Sequence, residues 1–360
     1  MDDGELRALR ASCDRSLIGH GLRTPEQTWA EAATVIDDTA GDVYGSGGVV
    51  TELEREAAEL LGKPAAVFMP TGTMAQQIAL RIHAERTGRS VVLCHHLAHP
   101  LIHEDQAAER LHGLHLRPVG SPDRLMTIED LDSVAEYAAA LLIELPQREI
   151  GGQLPSWDDL VAQTELARSH GTALHLDGAR LLEALPHFGR TAVEVAALFD
   201  TVYLSMYKGL GAMAGCVLAG EEQVIDEARE WRHRHGGTMY GMWPYAASAL
   251  AALRLRAPRM PDYAVHARAI AGALASASGV RLVPEHPPTN MMHLHLDVPA
   301  ETFTESCHVL ARTEGIWTWG SARSSVVEDR SVVELTVGDA TLAWQPSEVA
   351  DLVGRLIDRT

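Results

Sequence analysis

Between Ala65 and Ala219, short apolar runs alternate with stretches whose apolar residues recur at helical spacing. This rhythm constrains the fold more than any other feature of the chain. Ala65–Met69 and residues 90–94, 114–118, 139–144, 173–176, 201–204 and 215–219 read as strands. Helical patterns at 49–61, from Thr71 to about Arg86, and at 128–137, 157–169 and 193–198 precede or separate them. Such alternation builds a mostly parallel sheet covered on both faces, an α/β domain. Residues 221–255 read as helical, and Pro258-Arg259-Met260-Pro261 reads as a break before a smaller α+β domain. That domain is expected to hold strands at 293–296 and 332–337 and helices at 303–313 and 346–357. The expected division is an N-terminal arm at 1–45, a large domain at 46–257 and a small one at 258–360. Within the arm, Thr24-Pro25-Glu26 has a helix cap followed by a first-turn proline. Gly41, Gly45, Gly47 and Gly48 mark a loop.

Composition narrows the partners. A chain of 360 residues with 46% apolar content builds a substantial core. Its formal net charge of −19 repels a polyphosphate, which excludes nucleic acid as a natural partner. No run of 18 apolar residues predicts a membrane span. Met-Asp-Asp-Gly-Glu has neither a basic start nor an apolar run, so no secretory signal is expected. Cys13, Cys94, Cys216 and Cys307 are scattered without a CxxC pair, which fits reduced thiols in a cytoplasm.

The chemistry concentrates in two of the runs. One ends His175-Leu176-Asp177-Gly178-Ala179-Arg180, and the other leads into Ser205-Met206-Tyr207-Lys208-Gly209-Leu210-Gly211. An acidic residue closing one run and a lysine in a glycine-rich turn after another suit pyridoxal phosphate (PLP). The amine of Lys208 can form a Schiff base with the cofactor aldehyde. Asp177 can keep the pyridine nitrogen protonated, so that the ring accepts electrons from a carbanion. The chain has only two lysines, Lys63 and Lys208, and Lys63 lies in a turn with no evident chemistry. Thr71-Gly72-Thr73, where a strand gives way to a helix, offers free amides and a helix dipole for the phosphate. Ser205 is a further candidate contact for it. Arg180, three residues after Asp177, is placed to reach the cofactor's phenolate oxygen or a substrate carboxylate. His95, His96, His99 and His103 lie close together, but zinc usually takes three or four convergent ligands, so no metal is expected.

Four further segments carry a resemblance. They are Gly41-Asp42-Val43-Tyr44-Gly45, Phe68-Met69-Pro70-Thr71-Gly72-Thr73-Met74-Ala75, Leu97-Ala98-His99, and Trp231-Arg232 followed by Gly236-Gly237-Thr238-Met239. With the Asp177 and Lys208 motifs they resemble the threonine aldolase and β-eliminating lyase family of fold-type-I PLP enzymes. The match spans most of residues 40–255. The resemblance implies that His99 stacks on the pyridine ring, from where it could also act as a base toward the substrate hydroxyl. It implies that Arg232 reaches a cofactor phosphate, often that of a neighbouring subunit, within a homodimer or homotetramer. It implies an amino acid substrate and retro-aldol cleavage of a β-hydroxy-α-amino acid to glycine and an aldehyde. β-Elimination, racemisation, aldol transfer and a non-catalytic PLP-fold binding protein are the alternatives.

The departures bear on substrate. Cys13-Asp14-Arg15-Ser16 stands where the family usually has Ser-Asp-Thr, and Gly47-Gly48-Val49 where it has Asp-Pro-Thr. Tyr240 replaces a common arginine, and Tyr207 replaces the serine before the lysine. Glu144-Leu145-Pro146-Gln147-Arg148-Glu149 replaces a Glu-Asn/Thr-His segment. Arg330 and Arg323 are both near the family's C-terminal carboxylate-binding arginine, and Arg330 is the candidate for that role. These changes leave the cofactor machinery in place and point to a substrate larger or more polar than threonine.

Overall fold

A computed structural model describes residues 1–37, 41–134, 137–325 and 329–358. The chain divides into two compact units. The first contains Met1–Thr24, Ile150–Gln153 and Arg259–Thr360, and the second Pro25–Glu149 and Leu154–Pro258. The expected 1–45 arm is thus divided between them. Pro25 begins the helix Pro25–Ala33 of the second unit, as the Thr24-Pro25 signal predicts.

Seven strands form the sheet of the second unit. In chain order they are β1 (Ala65–Met69), β2 (Val91–His95), β3 (His115–Val119), β4 (Ala140–Glu144), β5 (Ala173–Gly178), β6 (Thr201–Ser205) and β7 (Cys216–Gly220). Their order across the sheet is β1-β7-β6-β5-β4-β2-β3. Pairing is parallel from β6 to β3, whereas β7 runs antiparallel to both β1 and β6. The strands are nearly continuous apolar runs because helices cover both faces. The expected helix at 128–137 covers Ile128–Asp132, closed by a Thr127–Asp130 capping box, and residues 135–136 lie outside the described set. Leu181–Phe188 is helical although Pro186 lies inside it, which hid this helix from the sequence pattern. The 221–255 stretch is two helices, Glu222–Arg234 and Trp243–Arg256.

Register decides what meets at the carboxyl ends of the strands. Glu144 pairs with Asp177, and Asp177 with Tyr203. Residues in one row share a face. That face packs against the helix Gly72–Thr87, whose Ile78, Ala79 and Ile82 meet Val67, Tyr203 and Leu218 in one apolar cluster.

Beneath Asp177 the same face carries a buried polar chain. His175 Nε2 lies 2.6 Å from Gln76 Oε1, His175 Nδ1 2.7 Å from Thr201 Oγ1, and His83 Nε2 2.8 Å from the same hydroxyl. Gln76 Oε1 can only accept, so His175 carries its proton on Nε2. Thr201 then donates to His175 Nδ1 and accepts from His83 Nε2–H. Burial pushes His83 down to about 4 and His175 down to about 3, so both stay neutral. An unfolded histidine takes up its proton near pH 6.5. Stability from each is therefore fully present above that pH and is lost as pH falls. For His83 the slope is about 1.4 kcal/mol per pH unit between roughly 6.5 and 4. A His83→Gln variant keeps a donor toward Thr201 without the titration. Urea unfolding of both proteins at pH 7, 6 and 5 should show the native chain losing stability faster by that slope; parallel losses would contradict it.

The first unit holds a four-stranded antiparallel sheet. Its order is Arg323–Ser324, Ser331–Thr336, Met291–Leu296 and Val280–Val283. Met260–Leu274, Ala300–Glu314 and Pro346–Asp358 are its longer helices. The unit boundary falls between Pro258 and Arg259, in the expected break, and Pro261 sits in the first turn of Met260–Leu274, where its missing N–H has no intrahelical partner to lose. The N-terminal residues join this unit through a parallel bridge from Arg15–Ser16 to Ile316–Trp317, and Trp344 Nε1 donates to Ser16 O at 2.9 Å. Among the described residues no helix is long and apolar enough to cross a membrane.

Candidate active site

The second unit contains Thr71, Gly72, Thr73, His99, Asp177, Arg180, Ser205, Lys208 and Arg232. Asp177 closes β5 and is buried, its Oδ1 accepting from Ala179 N–H at 3.0 Å. Lys208 follows β6 in the adjacent turn. Burial pushes its ammonium pKa down; Asp177 is the leading charge opposing this, Glu144 a lesser one, while Arg180 and Arg148 reinforce it. Among the described residues the ammonium has no hydrogen bond or ion pair. A desolvated amine with a depressed pKa and no partner is suited to attack a carbonyl. Glu183, buried on the helix Leu181–Phe188, lies so close under Gly209 that a Cβ there would collide with its carboxylate. Any larger residue after Lys208 would push the Glu183 carboxylate aside.

Glu144 ends β4 beside Asp177. It accepts from Gln147 Nε2 at 3.2 Å and from Arg148 N–H at 3.3 Å. Burial first, and then the Asp177 charge, push its carboxyl well up. Two carboxylates in adjacent strands resist simultaneous ionisation, and burial makes Glu144 reluctant to lose its proton.

The turn after β1 offers free helix amides suited to an anion. Thr71 caps the helix Gly72–Thr87, its Oγ1 accepting from Met74 N–H at 3.3 Å. Such a cap is worth about 1 kcal/mol. The first amides of that helix have no intrahelical partner. A Cβ on Gly72 would collide with the Tyr203 phenol oxygen, so glycine lets the turn close over β6. Ser205 Oγ is buried without a hydrogen bond of ordinary geometry, next to the same phenol. Burial pushes the Tyr203 phenol well up, so it stays a neutral donor.

Arg180 is half-buried and its guanidinium forms no hydrogen bond or ion pair among the described residues, yet its charge acts on Lys208, Glu144 and Tyr207. An uncommitted guanidinium beside the amine is a ready receptor for a carboxylate. Arg232 is buried: its Nη1 donates to Phe68 O at 2.8 Å and lies 3.9 Å from Glu54 Oε1. This anchors it to β1 three residues before Thr71. Arg330 belongs to the first unit, where its Nε sits 2.8 Å from Asp297 Oδ1.

The histidine cluster disperses to separate partners. His95 Nε2 meets Arg124 O at 2.9 Å, and His96 Nε2 meets Gly120 O at 3.0 Å. His99 Nδ1 meets Glu104 Oε1 at 3.1 Å, and His103 Nε2 meets Glu149 Oε1 at 3.1 Å. Among the described residues no three His, Cys, Asp or Glu side chains form a metal-binding group.

Sequence reasoning missed Glu104 and Tyr203 and gave Glu144 no role. Glu144 had a signal, since it closes an apolar strand run as Asp177 does. Glu104 and Tyr203 had none, because their importance comes from contacts across the fold.

The donor set fits PLP: a free amine, a buried carboxylate for the pyridine nitrogen, helix amides with Ser205 for a phosphate, and an unpaired arginine. A family model described as beta-eliminating lyase matches residues 23–297. A solved structure from Exiguobacterium sp. 255-15, named as a candidate aromatic amino acid beta-eliminating lyase/threonine aldolase, is 38% identical with a TM-score of 0.92 and 99% coverage of both chains. A candidate L-allo-threonine aldolase from Listeria monocytogenes EGD-E gives the same values. Low-specificity L-threonine aldolase 1 of Arabidopsis thaliana is 30% identical over 73% of this chain and 75% of its own. Fold and site together define a fold-type-I PLP-dependent enzyme. The chain belongs to the beta-eliminating lyase and threonine aldolase family and is a lyase of that PLP-dependent kind.

Proposed function

We propose that this enzyme cleaves the Cα–Cβ bond of a β-hydroxy-α-amino acid, releasing glycine and an aldehyde. The observation that carries the reading is the uncommitted Lys208 amine in the turn after the strand paired with that of buried Asp177, with the charges of Asp177 and Arg180 both acting on it. PLP bound through Lys208 supplies the electron sink for the pair left on Cα. Asp177 holds the pyridine nitrogen. Thr71, Gly72, Thr73 and Ser205 hold the phosphate, and Arg232 braces the strand end leading to them. Arg180 takes the substrate carboxylate and so fixes which bond at Cα stands free to break. His99 would stand against the cofactor ring, and its Nε2 would accept the β-hydroxyl proton as Cα–Cβ breaks and the carbonyl forms at Cβ.

The side chain of the substrate is larger or more polar than that of threonine. Arg148, from the segment that departs from the family pattern, is near enough for its charge to act on Lys208. It would place a hydrogen-bonding cation beside the pocket, where Tyr207 is exposed. We also expect a homodimer or homotetramer. Tyr44 and Tyr240, packed edge to face and 58% and 70% exposed, form with Val43 an apolar patch suited to a second copy.

Incubation with L-threonine, L-allo-threonine, phenylserine and more polar β-hydroxy amino acids tests the reaction. At least one should release glycine, and a polar analogue should be cleaved with a higher kcat/KM than L-threonine. Ammonia with a keto acid, and no glycine, would point to β-elimination. Conversion of the cofactor to its amine form with a keto acid would replace the reading by transamination.

A further inference from the structure

We propose that Glu104 is the positioning residue of this site: it fixes the tautomer of His99 so that Nε2 is the nitrogen open to accept a proton. The inference rests on the reading of His99 as the base. Glu104 is the most deeply buried acid around the histidine cluster, with its side chain 1% exposed. Its Oε1 lies 3.1 Å from His99 Nδ1, while His99 itself is 31% exposed. A carboxylate has no proton to give, so Nδ1 must carry one, and neutral His99 then has its lone pair on Nε2.

Burial and the Asp177 charge push the Glu104 carboxyl up, and two neighbours oppose them. They are His99 and the side chain of Gln77. Gln77 is buried and its side chain favours the ionised form, while the second carboxylate oxygen of Glu104 is buried without a hydrogen bond. Gln77 belongs to the helix Gly72–Thr87, whose first amides are the proposed phosphate contacts, and the hydrogen bond that holds His99 is the one to Glu104 Oε1.

His103 separates this role from a general need for histidine. Its ring centroid lies 5.2 Å from that of His99, and its Nε2 is held by Glu149, which also receives Arg148 Nη1 at 2.6 Å. The two imidazoles are therefore held through opposite nitrogens. His103 keeps Nδ1 open and His99 keeps Nε2 open.

The test reads the tautomer directly. Protein labelled with ¹⁵N-histidine, loaded with PLP and without substrate, is compared with Glu104→Met and Glu104→Gln, the His99 signals being assigned by their loss in His99→Asn. Native protein should show His99 protonated at Nδ1. Glu104→Met removes the acceptor and should shift His99 wholly or partly to the Nε2–H form, with kcat falling roughly 10²-fold or more and KM little changed. Glu104→Gln keeps a carbonyl acceptor and guards against misfolding as the explanation: it should retain the Nδ1–H form and more activity than Glu104→Met. A His99 already protonated at Nε2 in native protein, or an unchanged tautomer in Glu104→Met, overturns the proposal. So does loss of the Nδ1–H form in Glu104→Gln. A changed tautomer with unimpaired turnover would leave Glu104 holding the ring but remove His99 as the base, so the two readings fail separately.

Discussion

Lys208→Ala is expected to lower turnover by on the order of 10⁴-fold or more, because the amine that attaches the cofactor has no substitute in the site. The protein should stay folded. Among the described residues the Lys208 ammonium makes no hydrogen bond or ion pair, so its removal breaks no such contact, although Asp177 and Glu144 lose a counter-charge. Lys63 cannot replace it: its ammonium is half-buried and donates to Phe199 O at 2.6 Å. Steady-state turnover and a circular-dichroism melt on the same preparation check both halves. A variant that folds and keeps even a hundredth of native turnover would contradict the role.

Asp177→Asn has the second largest expected effect. Asparagine keeps an oxygen for the Ala179 N–H, so the start of the turn at Gly178 is preserved, but it removes the negative charge proposed to keep the pyridine nitrogen protonated. Loss of one preorganised electrostatic contact at a reacting centre costs roughly 10²- to 10³-fold in kcat. PLP should still bind, since Lys208 and the Thr71–Thr73 turn are unchanged. Absorbance titration with PLP, followed by turnover, separates the two. Near-native kcat in the loaded variant would rule out the assigned role.

The sequence carried the strands of the large sheet because they are short, nearly pure apolar runs closed by polar residues. It also carried Asp177, Lys208 and Thr71, because each sits where such a run stops and a turn begins. What it did not carry depends on register and tertiary contact. Tyr203 reads as one more apolar strand residue, and only the close approach of Gly72 shows that its phenol faces the anion site. Glu104 reads as a polar residue after His103, and only the fold shows it buried under His99. Val280–Val283 was not read as a strand because it is a short edge strand followed by Pro284 and only partly buried. The division of the N-terminal 45 residues was equally invisible, since the bridge from Arg15–Ser16 to Ile316–Trp317 joins segments about 300 residues apart.

With two lysines in the chain, the attachment of the cofactor has a simple readout. Protein loaded with PLP is reduced with borohydride, digested and mapped by mass. The pyridoxyl group should be found on the peptide carrying Ser205-Met206-Tyr207-Lys208. Label on the Lys63 peptide, or loaded protein that takes no label on either lysine, would contradict the assignment on which the whole account of this site depends.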